Sequence, residues 1–180
     1  MAHWHETPSH AWIKLTAEEL AKLPAFARRP DYEEDCEYCI AVMGLPELLQ
    51  DHKLFSDKLT MEDIRQTCRD YYPELFEKFT GEKCTPENSR KVADDTFHEV
   101  HAQDWIVICA SGDWKAGVPA GFCECIATRG GSRNRHAEER VFYIPTEKYH
   151  NRGQFGYVVQ PEDITNRIPV TAEFLQGKKD

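Results

Sequence analysis

The chain has 180 residues, a formal net charge of −9, and 41% hydrophobic and 11% aromatic content. That is enough apolar material for a real core, which argues against a disordered chain, and no apolar run approaches the ~20 residues of a membrane-crossing helix. Asp and Glu outnumber Lys and Arg by 21 to 12 over residues 1–103 and balance them at 10 to 10 over residues 104–180. One half carries the whole excess, a distribution that suits basic partners and repels free nucleic acid.

In chain order, His10–Leu15 reads as a short strand. Thr16 and Glu19 form a capping box, in which each side chain reaches the other's amide, so a helix should follow and end before Pro24. Asp31 and Glu34 repeat that spacing. They predict a second helix with Tyr32, Cys36, Cys39, Ile40 and Met43 on one face. Thr60 with Asp63 starts a third, and Pro73–Thr80 forms a fourth before Gly81. Thr85-Pro86 puts proline at the first position of a fifth, where its missing amide hydrogen costs nothing. From residue 104 the pattern alternates. Trp105–Ala110, Gly121–Ala127, Arg140–Ile144 and Phe155–Val159 are expected strands, with Gly130-Gly131-Ser132 as a turn and Thr146–Asn151 as a helical crossing. The expected fold is α+β, one domain over residues 1–180. A mainly helical acidic lobe (1–103) would pack on a small, mainly antiparallel β lobe (104–180).

Seven cysteines, an odd number, accompany an N-terminus without the basic and apolar stretches of a secretion signal. This predicts reduced thiols, small buried hydrophobes for the most part, in the cytoplasm. Cys36-x-x-Cys39 and His98-x-x-His101 have zinc-ligand spacing, with His3-x-His5 a third such pair. No second CxxC is present and the first falls inside an expected helix, so no cofactor is expected and zinc stands as the alternative. A redox role for the same CxxC is disfavoured by its acidic flanks, Glu33, Glu34, Asp35 and Glu37. His10 with Glu33, Glu34 and Asp35 is a candidate acid–base or cation site, although adjacent helical residues point in different directions. Those carboxylates would also stabilise a helix N-terminus through its dipole. The run Arg129-Gly-Gly-Ser-Arg133-Asn-Arg135 is a glycine-rich basic turn of a kind that can meet a phosphate or an acidic partner. No nucleophile motif of the Gly-x-Ser-x-Gly type is present. Trp4, Trp12, Trp114 and Tyr149 are candidate interface anchors.

Several segments together resemble an uncharacterised domain found in proteins of plasmids, integrative conjugative elements and phages. They are Ser9-His10-Ala11-Trp12-Ile13-Lys14-Leu15, Pro24-Ala25-Phe26 and Tyr32-Glu33-Glu34-Asp35-Cys36-Glu37. Asp104-Trp105, Gly112-Asp113-Trp114, Thr128-Arg129-Gly130-Gly131 and Glu138-Glu139-Arg140-Val141-Phe142-Tyr143-Ile144-Pro145 are similar to it too. Ala11-Trp12 stands where that family's strand carries paired glycines. The resemblance implies an accessory protein of a mobile element in a bacterial cytoplasm. Combined with the acidic half, it leads to an expected role in binding and inhibiting a host defence complex of the CRISPR or restriction type. Asp31, Glu33, Glu34, Asp35 and Glu37 would imitate phosphates in a basic groove, with Arg129, Arg133 and Arg135 as a second contact. Neither membrane nor free-DNA binding is expected. The competing expectation is a metal-assisted hydrolase or nuclease using His10 and Glu33–Asp35.

Overall fold

A computed structural model describes residues 2–165, which form helices together with two antiparallel three-stranded sheets. The chain divides into two units, Met1–Asp95 and Thr96–Asp180. This division falls inside a helix, eight residues before the switch to alternating periodicity at residue 104.

The first unit holds β1 (His3–Glu6), β2 (Ala11–Lys14) and β3 (Tyr32–Glu33), hydrogen-bonded in that order. Ile13 pairs with Tyr32 across β2 and β3, and both are fully buried. The Tyr32 hydroxyl donates to Ala27 O at 2.9 Å and accepts from the Arg29 amide at 3.2 Å, so its burial leaves no polar atom without a partner. Helix α1 (Ala17–Lys22) starts on the predicted box: the Thr16 amide donates to Glu19 Oε2 at 2.9 Å and the Glu19 amide to Thr16 Oγ1 at 3.2 Å. Helix α3 (Met61–Tyr71) starts the same way on Thr60 and Asp63. Between them lies α2 (Tyr38–Gly44). After α3 comes α4 (Pro73–Thr80), which stops at Gly81, whose φ of 75° suits glycine. The core gathers Ile13, Leu23, Ile40, Ile64 and Phe76, together with Cys39 and Cys68.

Two expectations in this unit are corrected. Asp31 and Glu34 do not start a helix: Tyr32 and Glu33 pair with β2, residues 34–37 form a turn, and α2 waits until Tyr38. Sheet pairing and burial of Tyr32 outweigh a local capping signal worth only about 1 kcal/mol. Pro86 does not open a helix either. Residues 85–88 close a turn in which the Thr85 amide donates to Asn88 Oδ1 at 2.8 Å. Helix α5 (Arg90–Val100) follows, with the Ser89 hydroxyl accepting from the Val92 amide at 3.4 Å.

The second unit is a meander of β4 (Trp105–Ser111), β5 (Phe122–Arg129) and β6 (Glu139–Pro145). Trp105, Val107, Cys125, Ala127, Phe142 and Ile144 form its buried face with Tyr157 and Val159. Helices α6 (Thr146–His150) and α7 (Pro161–Thr165) follow; the first matches the predicted crossing. Phe155–Val159, expected as a strand, makes two isolated bridges, Gly156 with Gly153 and Val158 with Ile106, plus backbone bonds from Val107 to Tyr157 and from Val159 to Trp105. This is contact with the edge of β4 without a fourth strand of the sheet.

Asp163 sits at the end of this segment, 3% exposed. It accepts from Lys148 Nζ at 2.6 Å, the Tyr157 hydroxyl at 2.8 Å and the Gln160 amide at 2.9 Å. Burial alone would raise its pKa, but these donors outweigh it and hold the carboxyl below the usual value. Tyr157 is pushed up to about 12 by burial and by its bond to Asp163.

Candidate functional site

The densest acidic run lies on β3 and the turn after it. Because a strand and a turn replace the expected helix, its carboxylates do not form a helical row, and dipole compensation does not account for them. Several are tied down. Glu37 pairs with Arg29 and also accepts from the Glu33 amide at 3.3 Å. Asp31 lies 3.9 Å from Lys14, and Glu33 accepts from the Asp35 amide at 3.3 Å. Asp35 is exposed without a cation partner among the described residues. Glu34 keeps one carboxylate oxygen buried with no hydrogen-bond partner.

The fold brings His10 beside this turn, since the Glu34 amide donates to Ala11 O at 3.1 Å. The proximity is one of backbone, and His10 is exposed at the end of the β1–β2 connection. Among the described residues no three His, Cys, Asp or Glu side chains are grouped to hold a metal ion. His10, Glu33, Glu34 and Asp35 do not form such a group.

Cys36 and Cys39 fall in the first unit, and His98 and His101 in the second. His98 Nδ1 lies 2.9 Å from Gly130 O and His101 Nδ1 lies 2.7 Å from Asp104 Oδ2, so both rings are oriented by partners in their own unit. Cys36 is placed differently from the expectation. It lies in the turn before α2, half-buried, with Sγ 3.1 Å from the Tyr72 hydroxyl. The Arg29 guanidinium lies over the Tyr72 ring at 5.2 Å. Arg29 and Tyr72 are the surroundings that sequence reasoning missed, and no local signal joins residues so far apart in the chain. Cys39, Cys68, Cys123 and Cys125 are buried as expected, whereas Cys109 is exposed.

The basic run connects β5 to β6 over residues 130–138, longer than a tight turn. Gly130 and Gly131 have φ of 58° and 69°, conformations that side chains resist. A Cβ on Gly131 would stand 3.0 Å from the His98 ring. The amides of Gly130, Gly131 and Ser132 donate to Asp104 O, Thr128 O and Arg129 O, so none is left to cradle a phosphate. Arg129 turns to Gln103 O and lies over the Trp105 indole at 4.3 Å, which Arg140 also approaches at 4.6 Å. Arg133 reaches Ile108 O at 3.4 Å, and Arg135 reaches His136 at 3.0 Å. The three arginines thus point to different neighbours, and none has a carboxylate partner among the described residues. Of the aromatic anchor candidates, Trp114 is 81% exposed and Trp4 38%, while Trp12 and Tyr149 are half-buried.

No described helix is long and apolar enough to cross a membrane. Neither the curated proteins nor the solved structures include a match to this chain. Residues 2–102, more than half of the sequence and nearly all of it preceding β4, match a family described as a domain of unknown function, DUF7007. The chain belongs to that family.

Proposed function

We propose that the chain is a mobile-element accessory protein that binds and inhibits a host defence nucleoprotein or nuclease complex, of the anti-CRISPR or anti-restriction type. The observation that carries the reading is the confinement of all excess negative charge to residues 1–103. Exposed Glu18, Asp35, Glu47 and Glu74 in the first unit have no cation partner among the described residues. Carboxylates spread in this way would occupy a Lys/Arg groove built for nucleic acid, with phosphate mimicry distributed over the unit instead of concentrated at residues 31–37. The resemblance of Ser9–Leu15 and Tyr32–Glu37 to mobile-element proteins supplies the class of partner. The proposed setting is a bacterial cytoplasm, with no membrane or free-DNA contact and no cofactor.

The test is to express the chain in bacteria carrying defined, active CRISPR or restriction systems and to score phage plating. Restored plating in at least one system, lost when Glu18, Asp35, Glu47 and Glu74 are neutralised together, is expected. Unchanged plating across all systems would overturn the reading.

A further inference from the structure

Cys36, Cys39 and Cys68 form a chain of thiols that the proposed binding role does not use. Cys36 is half-buried in the turn before α2, whereas Cys39 and Cys68 have no exposed surface. The Cys39 amide donates to Cys36 O at 3.3 Å, closing a turn across these four residues. A turn of this kind brings its end Cα atoms within about 7 Å, overlapping the roughly 4.4–6.8 Å span of a disulfide. The neighbouring Cys68 thiol, together with burial, holds Cys39 far above its usual pKa. The acidic flank is partly offset: Arg29 pairs with Glu37 and lies over the ring of Tyr72, whose hydroxyl contacts Cys36. A solvent-reachable thiol followed by a shielded one is an arrangement suited to disulfide exchange.

We propose that Cys36 and Cys39 are a redox-active dithiol that reduces small-molecule disulfides and closes to a Cys36–Cys39 disulfide. Cys36, as thiolate, attacks one sulfur of the reagent, and the first thiolate departs with the proton Cys36 has lost. Cys39 then attacks the Cys36 sulfur of the mixed disulfide, and its proton leaves with the second thiolate. One S–S bond breaks in the reagent and one forms in the protein. Two electrons pass to the reagent, giving two small thiols. The Tyr72 hydroxyl, 3.1 Å from Cys36 Sγ, is placed to hold that sulfur in position as it attacks. Cys68 keeps Cys39 protonated until the second step. This activity is independent of the acidic surface, and transient disulfides of this kind are the sort found in reducing compartments.

The test treats the full chain with oxidised glutathione, alkylates the remaining thiols with a maleimide and locates the modified cysteines by mass spectrometry. A Cys36–Cys39 disulfide is expected, lost in Cys36→Ser. In Cys39→Ser, a stable glutathione adduct on Cys36 is expected. Because Cys39 lies in the core and its replacement can disturb folding, Cys36→Ser at its half-buried position decides the matter. Glutathione adducts confined to exposed Cys109, or an open adduct on Cys36 that never closes in the unmodified chain, would overturn the proposal. So would a Cys39–Cys68 disulfide forming equally fast in Cys36→Ser.

Discussion

Two ion pairs, one in each unit, show how differently the two halves use charge. Arg29–Glu37 in the first unit has both side chains nearly 30% exposed, whereas in Lys148–Asp163 of the second the carboxylate is 1% exposed. Water screens the first pair, which positions a turn while contributing little energy. Desolvation makes the second costly to break from one side: removing Lys148 strands a buried carboxylate, whereas Lys148 itself is a third exposed and also pairs with Glu162 at 2.9 Å. A nearly balanced sequence charge in the second unit hides one deeply committed carboxylate. An acidic sequence charge in the first unit is partly cancelled on the surface, at Lys14 and Arg29, and partly left free.

The largest effect should come from Asp163→Ala, which deprives Lys148, Tyr157 and the Gln160 amide of their shared acceptor. A loss of about 3 kcal/mol is expected in urea unfolding. The same carboxylate should give the stability a pH signature. Its folded pKa lies below the unfolded one, so its contribution is present above about pH 4 and lost as pH falls through the folded value. Asp163→Ala should flatten that decline, and an unchanged acid profile would show that the pair is not the anchor described. Next in size is Thr60→Ala, which removes the α3 capping box and should cost about 1 kcal/mol by the same measurement. Arg29→Ala should cost least, under about 1 kcal/mol, since its ion pair is screened. If it cost as much as Asp163→Ala, the contrast between the units would collapse.

What the sequence showed correctly was mostly local. Thr16–Glu19 and Thr60–Asp63 are short-range boxes whose groups satisfy each other, and both start helices as read. β4, β5 and β6 carry their own alternation and β-branched residues, so their approximate spans were legible. Asp31–Glu34 has the same capping spacing and failed because Tyr32 finds Ile13 across a strand pair, which is a long-range fact. β1 was missed because His3-Trp4-His5-Glu6 is exposed at all four positions and exists by pairing with β2. The candidate site was legible as charge and illegible as geometry. The acidic run was visible, but its partners Lys14 and Arg29 and the thiol corner with Tyr72 are assembled only by folding.

The most direct measurement of the central claim is the salt dependence of binding to an inhibited defence complex, once phage plating has identified one. Affinity should fall steeply as ionic strength rises from 50 to 300 mM, on the order of tenfold or more for several screened contacts. Neutralising Glu18, Asp35, Glu47 and Glu74 should flatten that slope while leaving urea stability within about 0.5 kcal/mol. Tight binding with no salt slope, equal in the parent chain and the neutralised variant, would contradict an acidic surface acting in place of nucleic acid.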